Sequence, residues 1–256
     1  VSADVRAVFL FSSGGGLVRV CVTVCCLLRQ VLAHENIRRA KESIRKRGNF
    51  TQRKRMWLQL KQLELIVAWC SRHPGYERFG VLFLLTYAFL LRLPSEALPM
   101  AAGRDSGQAS LFLEGDVVVL TLARRKNKPA GSRMSRACWC RQSPTTCPVH
   151  AARPLLARHV HGQPFFQGIS AGEALRVLRR ILQAVGVAEY IEYRTHDLRR
   201  GHALDLQLSG APLKKILEYG QWTSPAFLVY LDMHRLEMEA VVQAHVEESD
   251  SEAEEC

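Results

Sequence analysis

The chain has 256 residues, 48% of them hydrophobic, and its 35 Lys and Arg outnumber 24 Asp and Glu for a formal net charge of +11. The length allows one large domain or two small ones, the apolar fraction supports a packed core, and the charge suits a polyanionic partner. Three of the eight cysteines (Cys21, Cys25, Cys26) share one apolar run and three more (Cys138, Cys140, Cys147) cluster with His150, a pattern that excludes a disulfide-stapled secreted module and fits an intracellular, reducing compartment.

Residues 1–35 form a Gly-interrupted apolar segment with no assigned element. Its stretch "LVRVCVTVCCLLRQVLA" contains Arg19 and Arg29 and is short for a membrane span. It reads as a buried helix or strand, or as sequence foreign to the fold, and no membrane partner is expected. Residues 36–74 are densely basic and helical in pattern; they read either as a solvated helix face or as a short DNA-clamping region that touches phosphates. From Leu58 the helical period is clear, through "LQLKQLELIVAWCSRH" to a turn at Pro74-Gly75. The next segment, "YERFGVLFLLTYAFLLRLPSEALPM", reads as a buried apolar helix.

"SLFLEGDVVVLTLARRKN" alternates and turns at Glu114-Gly115-Asp116, which predicts an antiparallel hairpin, with "KNKPAGSR" as an exposed loop after it. Helices follow in "AARPLLARHV" and "SAGEALRVLRRILQAVG". "RTHDLRRGHALDLQLSG" predicts a helix with Thr195 as N-cap and with His196 and Arg199 on one face. A helix N-terminus bearing an imidazole and a guanidinium suits a phosphate. "APLKKILEYG" predicts a helix with Pro212 in its first turn and Gly220 just past its end. A last helix is expected from Ser224 and Pro225, with Tyr230 inside it, and residues 247–256 form an acidic tail expected to be disordered.

Cys138, Cys140, Cys147 and His150 give a C-x-C-x6-C-x2-H arrangement. Three thiols and an imidazole suit tetrahedral zinc in a structural role; the alternative is a cluster of buried free cysteines beside an ordinary turn.

Four separated pieces stand in one order: Arg92 in "LRLPSEAL", a lysine in "RRKNK", His196 and Arg199, and "GQWTSPAFLVY" ending at Tyr230. This order and spacing resemble the catalytic domain of the tyrosine recombinase (phage integrase) family over residues 75–246, and the last motif looks like recombinases of crypton-type eukaryotic mobile elements. The resemblance implies a mainly α fold with a small antiparallel β-hairpin or sheet, an α+β integrase-type catalytic domain behind a short basic helical N-terminal part. It implies Tyr230 as nucleophile, Arg92 and Arg199 gripping the phosphate, His196 donating to it or handling the tyrosine proton, and Lys126 protonating the leaving 5′ oxygen. Lys128 is the alternative lysine. Trp222 or its neighbour Gln221 fills the position where the family carries His or Trp directly after the glycine; here Gln221 follows Gly220 and Trp222 comes one later. His202 falls outside this pattern and reads as structural.

The implied reaction is site-specific cleavage and rejoining of double-stranded DNA through a 3′-phosphotyrosyl link, without metal or ATP. The implied partners are DNA and further copies of the chain in a synaptic assembly, in the nucleus if the source is eukaryotic. Two rival functions are a DNA-binding module that has lost strand transfer, and a type IB topoisomerase-like enzyme.

Overall fold

The period that begins at Leu58 becomes helix α1 (Leu60–Arg72) in the computed structural model, which describes residues 54–125, 128–222 and 230–231. The chain divides into units Val1–Arg53 and Lys54–Cys256, and all described residues belong to the second. The apolar segment 1–35, the basic residues 36–53, Lys126, the helix expected from Ser224 and the acidic tail lie outside the described residues, apart from Tyr230 and Leu231. Among the described residues no helix is long and apolar enough to cross a membrane.

Helix α2 (Glu77–Ala88) is the centre of the core, with Phe79, Leu82, Phe83, Leu84, Leu85 and Tyr87 buried. Its sequence is apolar all round because it packs on several sides, against α1, α3 (Pro148–Ala157) and α5 (Asp197–Leu208). Leu58, Leu63, Ile66 and Cys70 of the α1 segment lie in the same core. The domain boundary expected at 74/75 therefore cuts through one hydrophobic core. Helix α4 (Ala171–Ala184) shows the one-sided pattern: Ala174, Leu178, Ile181 and Leu182 face inward, and the Ser170 hydroxyl caps its start by accepting from Glu173 N. Helix α6 (Leu213–Gly220) completes the set of six α-helices among the described residues.

The sheet has the order β1-β2-β3-β4 (Met100–Ala102, Ala109–Glu114, Val117–Leu122, Ser132–Ala137). The expected hairpin is β2–β3, with Glu114 opposite Val117 across a two-residue Gly115-Asp116 turn. Gly115 has φ 61°, which the first position of a type II′ turn requires. The sheet is larger than expected and is mixed: β1 runs parallel to β2, and β4 extends the antiparallel pairing beyond β3. The expected exposed loop ends at residue 131, and its last two residues begin β4.

Three further expectations need correction. The apolar helix stops at Ala88, short of Arg92, where the sequence places its end before a turn with Glu96. Leu90 then adopts φ 49°, and a π-helical turn over Leu93–Ala97 follows. The N-cap of α5 is His196, not Thr195, because the Asp197 carboxylate reaches back to Arg194 N (2.7 Å) and closes the preceding turn. Gly220 is the last residue of α6, and Gln221 (φ 51°) takes the left-handed position after it.

Candidate active site

Helix α5 enters the core at a close backbone crossing. Leu58 N donates to Asp197 O (3.0 Å), and a Cβ on Gly201 would lie 1.7 Å from Leu58 O. Asp205, one turn on, accepts from Leu60 N (2.7 Å), Gln59 Nε2 (2.9 Å) and the Tyr87 hydroxyl. The carboxylate therefore caps α1 and ties α1, α2 and α5 together. His202 is held by a hydrogen bond between Nδ1 and Tyr87 O (2.7 Å) and stacks on the Tyr87 ring. These contacts set the rotation of α5, and with it the direction of His196 and Arg199.

Arg199 is 2% exposed. Its Nη1 donates to Leu90 O (2.6 Å), its Nη2 to Gly220 O (3.0 Å), and its Nε has no partner among the described residues. The left-handed Leu90 turns its carbonyl toward this guanidinium. A bulky residue adopts that backbone only where the surroundings demand it. Arg199 also faces Glu96 at 3.8 Å, and its Cζ lies 4.7 Å from the Trp222 ring centroid.

The π-helical turn brings Glu96 back beneath Arg92. Arg92 N donates to Glu96 Oε2 (2.8 Å) and Arg92 Nη1 to Oε1 (2.9 Å). Arg125, at the end of the hairpin, is 4% exposed. It donates through Nε to Glu96 Oε1 (3.0 Å), through Nη2 to Leu90 O (3.2 Å) and through Nη1 to Gln221 Oε1 (3.1 Å). Sequence reasoning placed Glu96 in the turn after Arg92 without giving it a role, and missed Arg125 as a member of this cluster. The available signal was Glu96 itself, an acid in an apolar turn that needs a cationic partner once buried.

Tyr230 packs with Leu90, Ala203, Ile216, Trp222 and Leu231 in a small apolar cluster beside the main core. Its hydroxyl lies 2.7 Å from His196 Nε2, and Trp57 Nε1 donates to its backbone oxygen (3.2 Å). The Trp222 ring lies 5.2 Å from the Tyr230 ring. The structure thus brings together Arg92, His196, Arg199, Trp222 and Tyr230, and adds Glu96, Arg125 and Gln221. Lys126 lies outside the described residues. Lys128 pairs its backbone with Arg125 and lines a cleft with Leu213, Leu217, Gln221 and Trp222, next to the indole.

The electrostatics favour an anion. Burial alone would raise the Glu96 carboxyl, but Arg125, the Arg92 N–H and Arg199 outweigh it and hold the group below its ordinary value. Burial and Arg125 lower Arg199 to about 10, so it stays charged at neutral pH. Burial, with the charges of Arg200, Arg199 and Arg92, lowers His196 to about 4 and leaves it neutral. Three guanidiniums around one carboxylate leave two positive charges (three minus one) in a poorly solvated site. Uncompensated charge of that kind is costly, and a phosphate would offset it.

Comparison with solved structures adds a fold. The site-specific recombinase XerH bound to its difH DNA, in a pre-cleavage complex, aligns with a TM-score of 0.53 and 16% identity over 75% of this chain and 56% of the XerH chain. XerH in a post-cleavage complex with palindromic difH gives 0.53 and 16% over 76% of this chain and 55% of that one. This chain has the fold of a tyrosine recombinase catalytic domain. It spans little more than half the length of the XerH chain. No family sequence model and no curated protein sequence matches it. The tyrosine recombinase fold here is mainly α with the four-stranded mixed sheet described above, and its polar cluster joins the π-helical turn, the end of the hairpin and the α5–α6 region.

Proposed function

We propose that this chain is a DNA strand transferase that cleaves and rejoins double-stranded DNA through a covalent link on Tyr230. The observation that carries this reading is the 2.7 Å approach of His196 Nε2 to the Tyr230 hydroxyl, beside an arginine cluster with surplus positive charge. A phenol is a weak nucleophile until a neighbouring base takes its proton. Neutral His196, protonated on Nδ1, accepts that proton on Nε2.

In the reaction the Tyr230 oxygen attacks the scissile phosphorus. The P–O(Tyr) bond forms, the bond to the 5′ oxygen breaks, and the 3′ end stays on the enzyme. Arg92 and Arg199, with Arg125 behind them, neutralise the non-bridging oxygens of the transition state. The leaving 5′ oxygen takes a proton from the hairpin lysine, for which Lys126 is the candidate the sequence supplies. Religation reverses these steps with a second 5′ hydroxyl, so the ester energy is conserved without ATP or a metal ion. The partners proposed are duplex DNA and further copies of the chain assembled on it.

The test uses the purified chain with a pool of nicked duplexes from which the short cleaved strand diffuses away, with no chelator and no added divalent metal. The wild type is expected to yield denaturation-resistant protein–DNA adducts, and Tyr230→Phe none while still binding DNA. No adduct at saturating DNA, across a pool diverse enough to contain the target, would favour the binding-module reading.

A further inference from the structure

The structure carries a second group of reactive side chains, separate from the arginine–tyrosine cluster. Cys138 and Cys140 follow the end of β4, Cys147 is the N-cap of α3, and His150 lies in the first turn of α3. Cys138 Sγ is 3.1 Å from Cys140 Sγ, 3.5 Å from Cys147 Sγ and 3.8 Å from His150 Nδ1. His150 Nδ1 is in turn 3.3 Å from Cys147 Sγ. The donor atoms of Cys138, Cys140 and His150 all lie within 4.8 Å of one another. All three cysteines are free thiols.

A thiol is a poor donor and a poor acceptor, so three sulfurs meeting one imidazole nitrogen gain little from hydrogen bonding. They gain much from a shared cation. Bond lengths of about 2.3 Å to sulfur and 2.0 Å to nitrogen place the donors of a tetrahedral zinc site roughly 3.5–3.8 Å apart. Four of the six donor separations, at 3.1–3.8 Å, are close to that spacing before any metal has drawn the ligands in, and Cys147 enters through its contacts with Cys138 and His150. Three soft sulfurs with one nitrogen select zinc over the hard cations.

The chain between the ligands shows what such a site would hold. Residues 138–147 contain no helix or strand. Trp139 Nε1 donates to Thr146 O (2.9 Å), Ser143 and Thr146 share a hydrogen bond, and the Ser143 hydroxyl donates to Glu64 on α1. The Trp139 ring meets His202 edge-on at 6.3 Å. His202 belongs to α5, the helix that carries Arg199 and is capped by His196.

We propose that Cys138, Cys140, Cys147 and His150 bind one zinc ion that closes the β4–α3 connection and seats Trp139 against α5. Four protein ligands leave no open coordination position, so the role is structural and takes no part in strand transfer. Binding displaces the thiol protons.

The test starts from the whole chain purified under reducing conditions without chelator. Elemental analysis is expected to find one zinc per chain. Stripping the metal should lower the midpoint of thermal unfolding, and added zinc should restore it. Cobalt(II) added to the stripped protein should give the visible absorption of a tetrahedral thiolate site. Cys140→Ser and His150→Asn should each reduce zinc to below one-tenth of an equivalent, while Cys70→Ala keeps it. The cobalt titration of the wild type decides the matter even if a variant fails to fold. No zinc and no cobalt band would overturn the proposal, as would full zinc occupancy in both variants or a Cys138–Cys140 disulfide in the freshly purified protein.

Discussion

The Trp222 indole fills the place where a side chain on Gly220 would stand: a Cβ on Gly220 would meet Trp222 Cζ3 at 1.9 Å. The glycine is therefore required by a neighbour, since it is Gln221 that carries the left-handed backbone. Gly220→Ala is expected to displace the indole from Arg199 and Tyr230. Such overpacking costs about 1–3 kcal/mol. Thermal unfolding and a single-turnover cleavage assay check this, with cleavage falling further than stability alone explains.

Arg199 offers a test of shape against charge. Its fork spans Leu90 O and Gly220 O, which a lysine ammonium cannot bridge from one point. Arg199→Lys keeps the charge yet is expected to reduce cleavage by about 100-fold or more, the scale of a lost transition-state donor. Arg199→Ala should also destabilise the fold by about 3 kcal/mol, because Gly220 O loses its donor and Glu96 loses a cation. Equal cleavage by wild type and Arg199→Lys would contradict the assigned role.

His196 sets a pH dependence with a definite sign. Its folded value of about 4 lies below the ordinary 6.5, so the unfolded chain takes up this proton first on acidification. Folding is unpenalised above pH 6.5 and loses stability as pH falls toward 4, by about 3 kcal/mol when complete. Buried His202, lowered to about 3, acts in the same direction, whereas Asp197, raised by burial to about 6, acts oppositely between pH 6 and 3.8. The difference in unfolding midpoint between wild type and His196→Gln across this range isolates the His196 part. In single-turnover cleavage, the same group predicts a limb that falls only below about pH 5, because the base stays neutral above it.

Gly201 tests how α5 is seated. A Cβ there would meet the Leu58 carbonyl oxygen at 1.7 Å, and backbone does not swing aside as a long side chain does. Gly201→Ala is expected to break the crossing and with it the Leu58–Asp197 hydrogen bond, lowering thermal stability by more than Gly210→Ala. Gly210 has φ 79° and open space around its Cβ position, so its penalty is local strain alone.

Much of this architecture was legible because its segments obey a single period. The one-sided stripe of α4 and the alternating β2–β3 pair around Gly115-Asp116 could be read directly. Strand β4 could not. Its "SRMSRA" buries Met134 and Arg136, and besides the neighbouring Ser135 carbonyl Arg136 is accommodated by the Ala88 and Tyr219 carbonyls and the faces of Phe89 and Tyr219, partners supplied by distant segments. Strand β1 is three residues long and is defined by pairing with β2, which local sequence cannot announce. At the site, His196, Arg199 and Tyr230 stood out by spacing. Arg125 did not, because "ARRKN" reads as a solvated charge run until Glu96, 29 positions away, is seen to bury it.

The central claim is that the Tyr230 oxygen becomes the phosphoryl acceptor. The most direct measurement traps the adduct on a nicked duplex, digests protein and DNA, and locates the nucleotide by mass spectrometry. The account predicts one modified peptide, with the phosphate on the Tyr230 phenol. A nucleotide found on any other residue, or an adduct that persists in Tyr230→Phe, would contradict it.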